Sequence, residues 1–212
     1  MVAIKICGLT CVSDALQCVE AGADAIGLNF YPGSPRCIDV ERAREIVEAV
    51  GDRTLTVGVF VDLEADAIEA TKEATGLRCV QLHGHEPPEL LERFLPHAYK
   101  AIRVRDASSL AEARRFGGQH ILLDAYVAGQ AGGTGQVFNW ELAREFARER
   151  KVTLAGGLTP GNVAEAVAQV QPFCVDVASG VEWSPGRKDR ALVEAFVRAV
   201  REAVGPEVRS QS

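Results

Sequence analysis

Short apolar runs and amphipathic stretches alternate along this chain from Ala3 to Val204. The apolar runs are Ala3–Cys7, Ala25–Phe30, Leu55–Val61, Arg78–Leu82, Tyr99–Val104, His120–Asp124, Val152–Leu154 and Val175–Val177. Each is brief and bounded by turn formers, which predicts a strand. The stretches between and after them are Ser13–Ala21, Val40–Val50, Glu64–Thr75, Pro88–Phe94, Ser108–Phe116, Asn139–Arg150, Pro160–Val170 and Asp189–Val204. Their apolar residues recur three and four apart, as Leu192, Val193, Phe196, Val197 and Val200 do. That spacing predicts helices with one buried face. Eight strand-helix pairs in succession predict an α/β architecture, a single (β/α)8 barrel of parallel strands ringed by helices, in preference to an open doubly wound sheet. At 212 residues the chain is short for such a barrel, so residues 1–204 are expected to form one catalytic domain. The polar stretch 205–212, with Pro206, is expected to be a fraying tail.

Composition narrows the partners more than the fold. The formal net charge is −6 and no Lys/Arg cluster interrupts it, so an extended nucleic-acid surface is not expected. A small anionic ligand stays open, because local donors decide that. The six cysteines stand at positions 7, 11, 18, 37, 79 and 174. They include no Cys-x-x-Cys pair and offer no zinc spacing. The chain starts directly on a strand-like run, with no basic region leading into an apolar leader and no span long enough for a membrane. A cytoplasmic protein with reduced thiols, no metal, no cofactor and no membrane partner is the expectation, as monomer or homodimer.

Chemistry concentrates where strands end. Val152-Thr153-Leu154 stops at Ala155, Gly156 and Gly157, and Val175-Asp176-Val177 stops at Ala178, Ser179 and Gly180. Glycines let backbone N–H groups approach a ligand closely, and N–H groups at a helix start carry partial positive charge. Thr159 as N-cap and Pro160 at the first helical position predict a helix just beyond Gly157. In a barrel these two turns follow strands seven and eight, a frequent phosphate site. Gly156, Gly157, Ser179 and Gly180 are therefore the expected phosphate cradle.

On the first strand Lys5 and Cys7 share a face, pointing inward, while Ile4 and Ile6 face the helices. An ammonium beside a thiol favours thiolate, which makes Cys7 a candidate base or nucleophile. Asp124 closes the sixth run at the rim and is a candidate general acid or base. The residues alone leave open whether it rests protonated or is held ionised by Lys5. His83, after Gln81 and Leu82, is placed to reach the mouth. Arg36 follows Pro32 and Pro35 in a stiff loop and reads as a solvent-exposed guanidinium whose fork suits a carboxylate. The long loop after Asp124, with Gly129, Gly132, Gly133 and Gly135, reads equally as a mobile cover or a plain surface connection.

The motifs Lys5-Ile6-Cys7-Gly8-Leu9-Thr10 and Phe30-Tyr31-Pro32-Gly33-Ser34-Pro35-Arg36 resemble those of the phosphoribosylanthranilate isomerase family. So do Gln81-Leu82-His83-Gly84, Leu123-Asp124-Ala125, Gly132-Gly133-Thr134-Gly135, Leu154-Ala155-Gly156-Gly157-Leu158-Thr159-Pro160, Val175 to Glu182 and Pro185-Gly186-Arg187-Lys188-Asp189. They run through the chain in the family's order. Small departures are Ala178, Asn139 and Gly33, where the family commonly has Ser, Asp and a nearby Lys. The resemblance implies a TIM barrel of tryptophan biosynthesis. It implies an Amadori rearrangement of N-(5-phosphoribosyl)anthranilate, with Asp124 as general acid, Cys7 as general base, Arg36 on the anthranilate carboxylate and no metal. Lys5 would keep Cys7 partly thiolate.

Overall fold

A computed structural model describes residues 1–124 and 140–205 of the chain. Eight parallel strands close on one another in chain order: β1 (Ala3–Cys7), β2 (Ala25–Asn29), β3 (Leu55–Phe60), β4 (Cys79–Leu82), β5 (Ala98–Arg103), β6 (His120–Asp124), β7 (Lys151–Ala155) and β8 (Cys174–Val177). The barrel closes through β1 and β8, where Ile4 pairs with Val175 and Lys5 with Asp176. Around it stand α1 (Val12–Glu20), α2 (Val40–Val50), α3 (Ala65–Thr75), α4 (Pro88–Glu92), α5 (Ala107–Arg114), α6 (Trp140–Ala147), α7 (Val163–Val170) and α8 (Arg190–Ala203). The expected (β/α)8 barrel is therefore the fold. The glycine-rich loop after Asp124 and the tail beyond Gly205 lie outside the described residues.

The alternation of side chains along each strand divides the core in two. Ile4, Ile6, Ile26, Leu28, Val80, Leu82, Ile121 and Leu123 point outward and join the inner faces of the helices, Val193, Phe196, Val197 and Val200 of α8 among them. Ala25, Val57, Cys79, Tyr99, Ala101, Leu122 and Ala155 fill the barrel itself. Polar groups also lie inside it: Lys5, Thr153, Gln81 and Asp176 are all buried. Buried polar groups persist only with partners, and here the Lys5 ammonium pairs with Asp176 Oδ2 at 2.9 Å. The Thr153 hydroxyl bonds the His120 ring at 2.6 Å.

Two features differ from the pattern-based reading. The helix expected to begin at Pro160 begins at Val163, because Asn162 folds back on the turn before it. Asn162 Oδ1 accepts from the Thr159 N–H at 2.8 Å and its Nδ2 donates to the Gly157 carbonyl at 3.0 Å. That side chain ties residues 157 to 162 into a turn of their own. Between β8 and α8, moreover, the chain makes a single 3-10 turn (Ser179–Val181) and an antiparallel hairpin of β9 (Glu182–Ser184) and β10 (Arg187–Lys188). Pro185-Gly186 forms its turn, with Gly186 at φ +79°, as Pro followed by a left-handed Gly requires. No helix among the described residues is long and apolar enough to cross a membrane.

Candidate active site

Cys7 ends β1 opposite Gly27 of β2. A methyl group at Gly27 would sit 2.6 Å from the Cys7 sulfur and 3.0 Å from the Lys5 nitrogen. Both distances are below van der Waals contact, so glycine here is what lets thiol and ammonium share the space. The expected influence of Lys5 needs correction, however. Burial raises the Cys7 pKa, and the attraction of Lys5 does not overcome it because Asp176 pushes the other way. Lys5 itself loses by burial but gains more from Asp176 and Cys7, so its ammonium is held well above its ordinary range. The thiol form is therefore more favoured than the Lys5 ammonium alone would make it. Sequence alternation put Lys5 beside Cys7; it did not reveal that β8 supplies the anion that takes up the charge.

Across the mouth, Asp124 ends β6. Its Oδ2 lies 3.3 Å from His83 Nε2, so the histidine read as reaching the mouth reaches this carboxyl group. His83 Nδ1 is 2.8 Å from Gln81 Nε2, and Gln81 Oε1 accepts from the Tyr99 hydroxyl at 2.9 Å.

Arg36 is not a loosely exposed guanidinium. Its Nε and Nη2 donate to the two carboxylate oxygens of Glu182 at 2.8 and 2.6 Å, and its stem lies against Gly8, where an added Cβ would strike Arg36 Cδ. Glu182 also accepts from Lys188 Nζ at 2.7 Å. Lys188 Nζ donates further to the carbonyls of Cys7 at 2.7 Å and Ala178 at 3.1 Å. The ends of β1 and β8 and the loop after β2 thus converge on one buried ion cluster. Glu182 and Lys188 went unread as functional residues, although Pro185-Gly186 marks the hairpin that brings them together.

The two glycine turns meet. Gly156 and Gly157 have φ of +92° and +64°, left-handed conformations that side chains other than Gly rarely adopt. Any Cβ at Gly180 would collide with the Leu158 carbonyl oxygen. Gly156, Gly157, Ser179 and Gly180 therefore belong to one small surface at the ends of β7 and β8. A cavity of about 970 Å³ opens at the same barrel end, beside β2 to β5, with Asn29, Arg36, His83, Lys100 and Arg103 on its wall. A second, of about 710 Å³, lies at the opposite end near Arg150, Lys151 and Phe173. Cys7 and Asp124 end their strands at the same barrel end as the first cavity, the end where barrels of this kind work.

A closed eight-stranded barrel with a thiol and a carboxyl group at strand ends of its mouth, and paired glycine turns after its last two strands, is the architecture of a barrel enzyme. Comparison with known proteins makes this particular: residues 4–199 match the family described as N-(5'phosphoribosyl)anthranilate (PRA) isomerase. The chain is 48% identical over 197 residues to the N-(5'-phosphoribosyl)anthranilate isomerase of Geobacter sp. (strain M21), covering 93% of this chain and 97% of that one. Among solved structures, the phosphoribosyl anthranilate isomerase of Thermotoga maritima superposes with a TM-score of 0.87 at 40% identity, covering 95% of this chain and all of that one. Another isomerase structure, in complex with reduced 1-(o-carboxyphenylamino)-1-deoxyribulose 5-phosphate, gives 0.84 at 40% identity with the same coverage. The chain belongs to the phosphoribosylanthranilate isomerase family, enzymes of tryptophan biosynthesis.

Proposed function

We propose that this enzyme carries out the Amadori rearrangement of N-(5-phosphoribosyl)anthranilate to 1-(2-carboxyphenylamino)-1-deoxyribulose 5-phosphate by general acid-base catalysis, without a metal. Asp124 gives its proton to the furanose ring oxygen; the C1′–N bond becomes a protonated Schiff base as the ring opens. Cys7 then takes the C2′ proton, and the released electrons neutralise the iminium nitrogen to give an enolamine. Tautomerisation of the enolamine yields the ketone. Each acid-base step of this kind contributes on the order of 10²–10⁴-fold.

The raised pKa of Cys7 has a role in this scheme. Only the thiolate is a competent base; the thiol first gives up its proton to solvent, which the positive Schiff base formed next to it favours once the ring has opened. The base is thereby quiet before ring opening. Phosphate binding at Gly156, Gly157, Ser179 and Gly180 anchors the open chain through backbone N–H groups. Arg36, held by Glu182 through one edge of its fork, presents the other to the anthranilate carboxylate.

The observation that carries this reading is the placement of Cys7 and Asp124 at the ends of β1 and β6, on opposite sides of one mouth. The test follows the loss of phosphoribosylanthranilate fluorescence with a metal chelator present. Wild-type protein is expected to give rapid decay; Asp124→Asn and Cys7→Ser are each expected to fall by 10²-fold or more. Near-normal decay with Cys7→Ser would end the general-base assignment, and loss of wild-type decay in chelator would end the metal-free one.

A further inference from the structure

The hydrogen bonds behind Asp124 form a directional chain. Tyr99, on β5, donates its hydroxyl proton to Gln81 Oε1 at 2.9 Å. Gln81, on β4, places its amide Nε2 2.8 Å from His83 Nδ1. His83 in turn sets Nε2 3.3 Å from Asp124 Oδ2. Tyr99 and Gln81 are only 3% and 1% exposed, so solvent does not compete for these groups. Burial pushes the Tyr99 hydroxyl well above its usual ionisation range, against the pull of Lys5, which keeps it a donor.

An amide nitrogen donates and has no lone pair to offer. His83 Nδ1 must then accept, and the single proton of the neutral ring must sit on Nε2, facing Asp124. Turning the Gln81 amide over would set its N–H₂ against the tyrosine hydroxyl. The buried Tyr99 proton would then lose the acceptor that the described residues provide. We propose that Gln81 and Tyr99 are positioning residues that fix His83 as its Nε2–H tautomer, so that the imidazole donates to Oδ2 of Asp124. This inference rests on Asp124 being the acid, but the tautomer can be observed without any substrate.

The function of such a chain is rotational. A carboxyl group at the end of a strand can turn about its side-chain bond, and a misplacement of about 1 Å in a reacting group costs on the order of 10²-fold in rate. A donor fixed against Oδ2 restrains that turn. Neither Gln81 nor Tyr99 needs to touch the substrate for this.

The test is nitrogen NMR of the full chain labelled with ¹⁵N-histidine, the His83 signals being those lost in His83→Gln. At a pH where the ring carries a single proton, wild type is expected to show that proton on Nε2. Gln81→Glu keeps the size but puts an acceptor at both ends of the side chain. In that variant His83 is expected to take a second proton between two carboxylates, with kcat down on the order of 10²-fold and KM within about threefold. Gln81→Leu is expected to give mixed tautomers and a comparable fall in kcat. A proton on Nδ1 in wild type, or an unchanged Nε2–H ring with normal kcat in Gln81→Glu, overturns the proposal. An Nε2–H ring in a wild-type protein whose Asp124→Asn variant keeps full turnover would sink the acid assignment instead, and leave the tautomer control standing.

Discussion

Replacing Glu182 by Gln tests whether the ion cluster at the rim is as important as its geometry implies. The carboxylate is 4% exposed and accepts from Arg36 twice, from Lys188 Nζ at 2.7 Å and from the Gly186 N–H at 3.3 Å. Glutamine is the same size, but it carries no charge and turns an N–H₂ toward one of the two cations. Removing one partner of a buried ion pair costs about 3–5 kcal/mol. Arg36 stays 21% exposed, and Lys188 keeps the carbonyls of Cys7 and Ala178, so the lower end applies, about 3 kcal/mol. With a urea slope of roughly 2 kcal/mol/M, that is a drop of about 1.5 M in the unfolding midpoint at neutral pH. Burial opposes the Glu182 charge, but Arg36 and Lys188 prevail and hold its pKa below the ordinary value. Its contribution is therefore present above the unfolded carboxylate value of about 4.3 and disappears as pH falls through the lower folded one. The gap between wild type and variant should close in acid. A neutral-pH midpoint matching wild type, or a gap that widens below pH of about 4, would refute the reasoning.

Two further substitutions probe the ligand-facing groups. Arg36→Met should raise KM by about tenfold or more, the worth of a charge-assisted bond of roughly 1.5–3 kcal/mol, with a smaller change in kcat; steady-state kinetics would show an unaltered KM if the carboxylate binds elsewhere. Gly180→Ala should drive the turn after β8 away from the Leu158 carbonyl, costing about 1–3 kcal/mol of stability and weakening the binding of inorganic phosphate measured by calorimetry. Normal phosphate affinity in that variant would remove Gly180 from the cradle.

Much of the barrel was legible because burial on both sides writes itself into periodicity. β1, β6 and α2 have the very bounds that the pattern of apolar residues predicts. Helix α7 was misjudged at its start because Thr159-Pro160 looks like a start signal locally, whereas the Asn162 side chain bonds back to Gly157 and Thr159 and claims those residues for the turn. The β9–β10 hairpin escaped notice since three residues and two are too few to show a period.

The chain alone determined which residues stand at strand ends. Alternation put Lys5 and Cys7 on one face, apolar runs ended at Asp124, and glycine pairs followed the last two strands. These are local properties, set by the two-residue repeat of a strand and by where a turn interrupts it. Only the closed barrel decided what those residues meet. Lys5 is answered by Asp176, 171 positions away, and Arg36 by Glu182, 146 away, while Asp124 lies beside His83, 41 away. Charge and hydrogen bonding act over a few ångströms of space whatever the separation in sequence. The protonation of Cys7 and the setting of Asp124 thus became readable only when strands far apart in the chain were brought side by side.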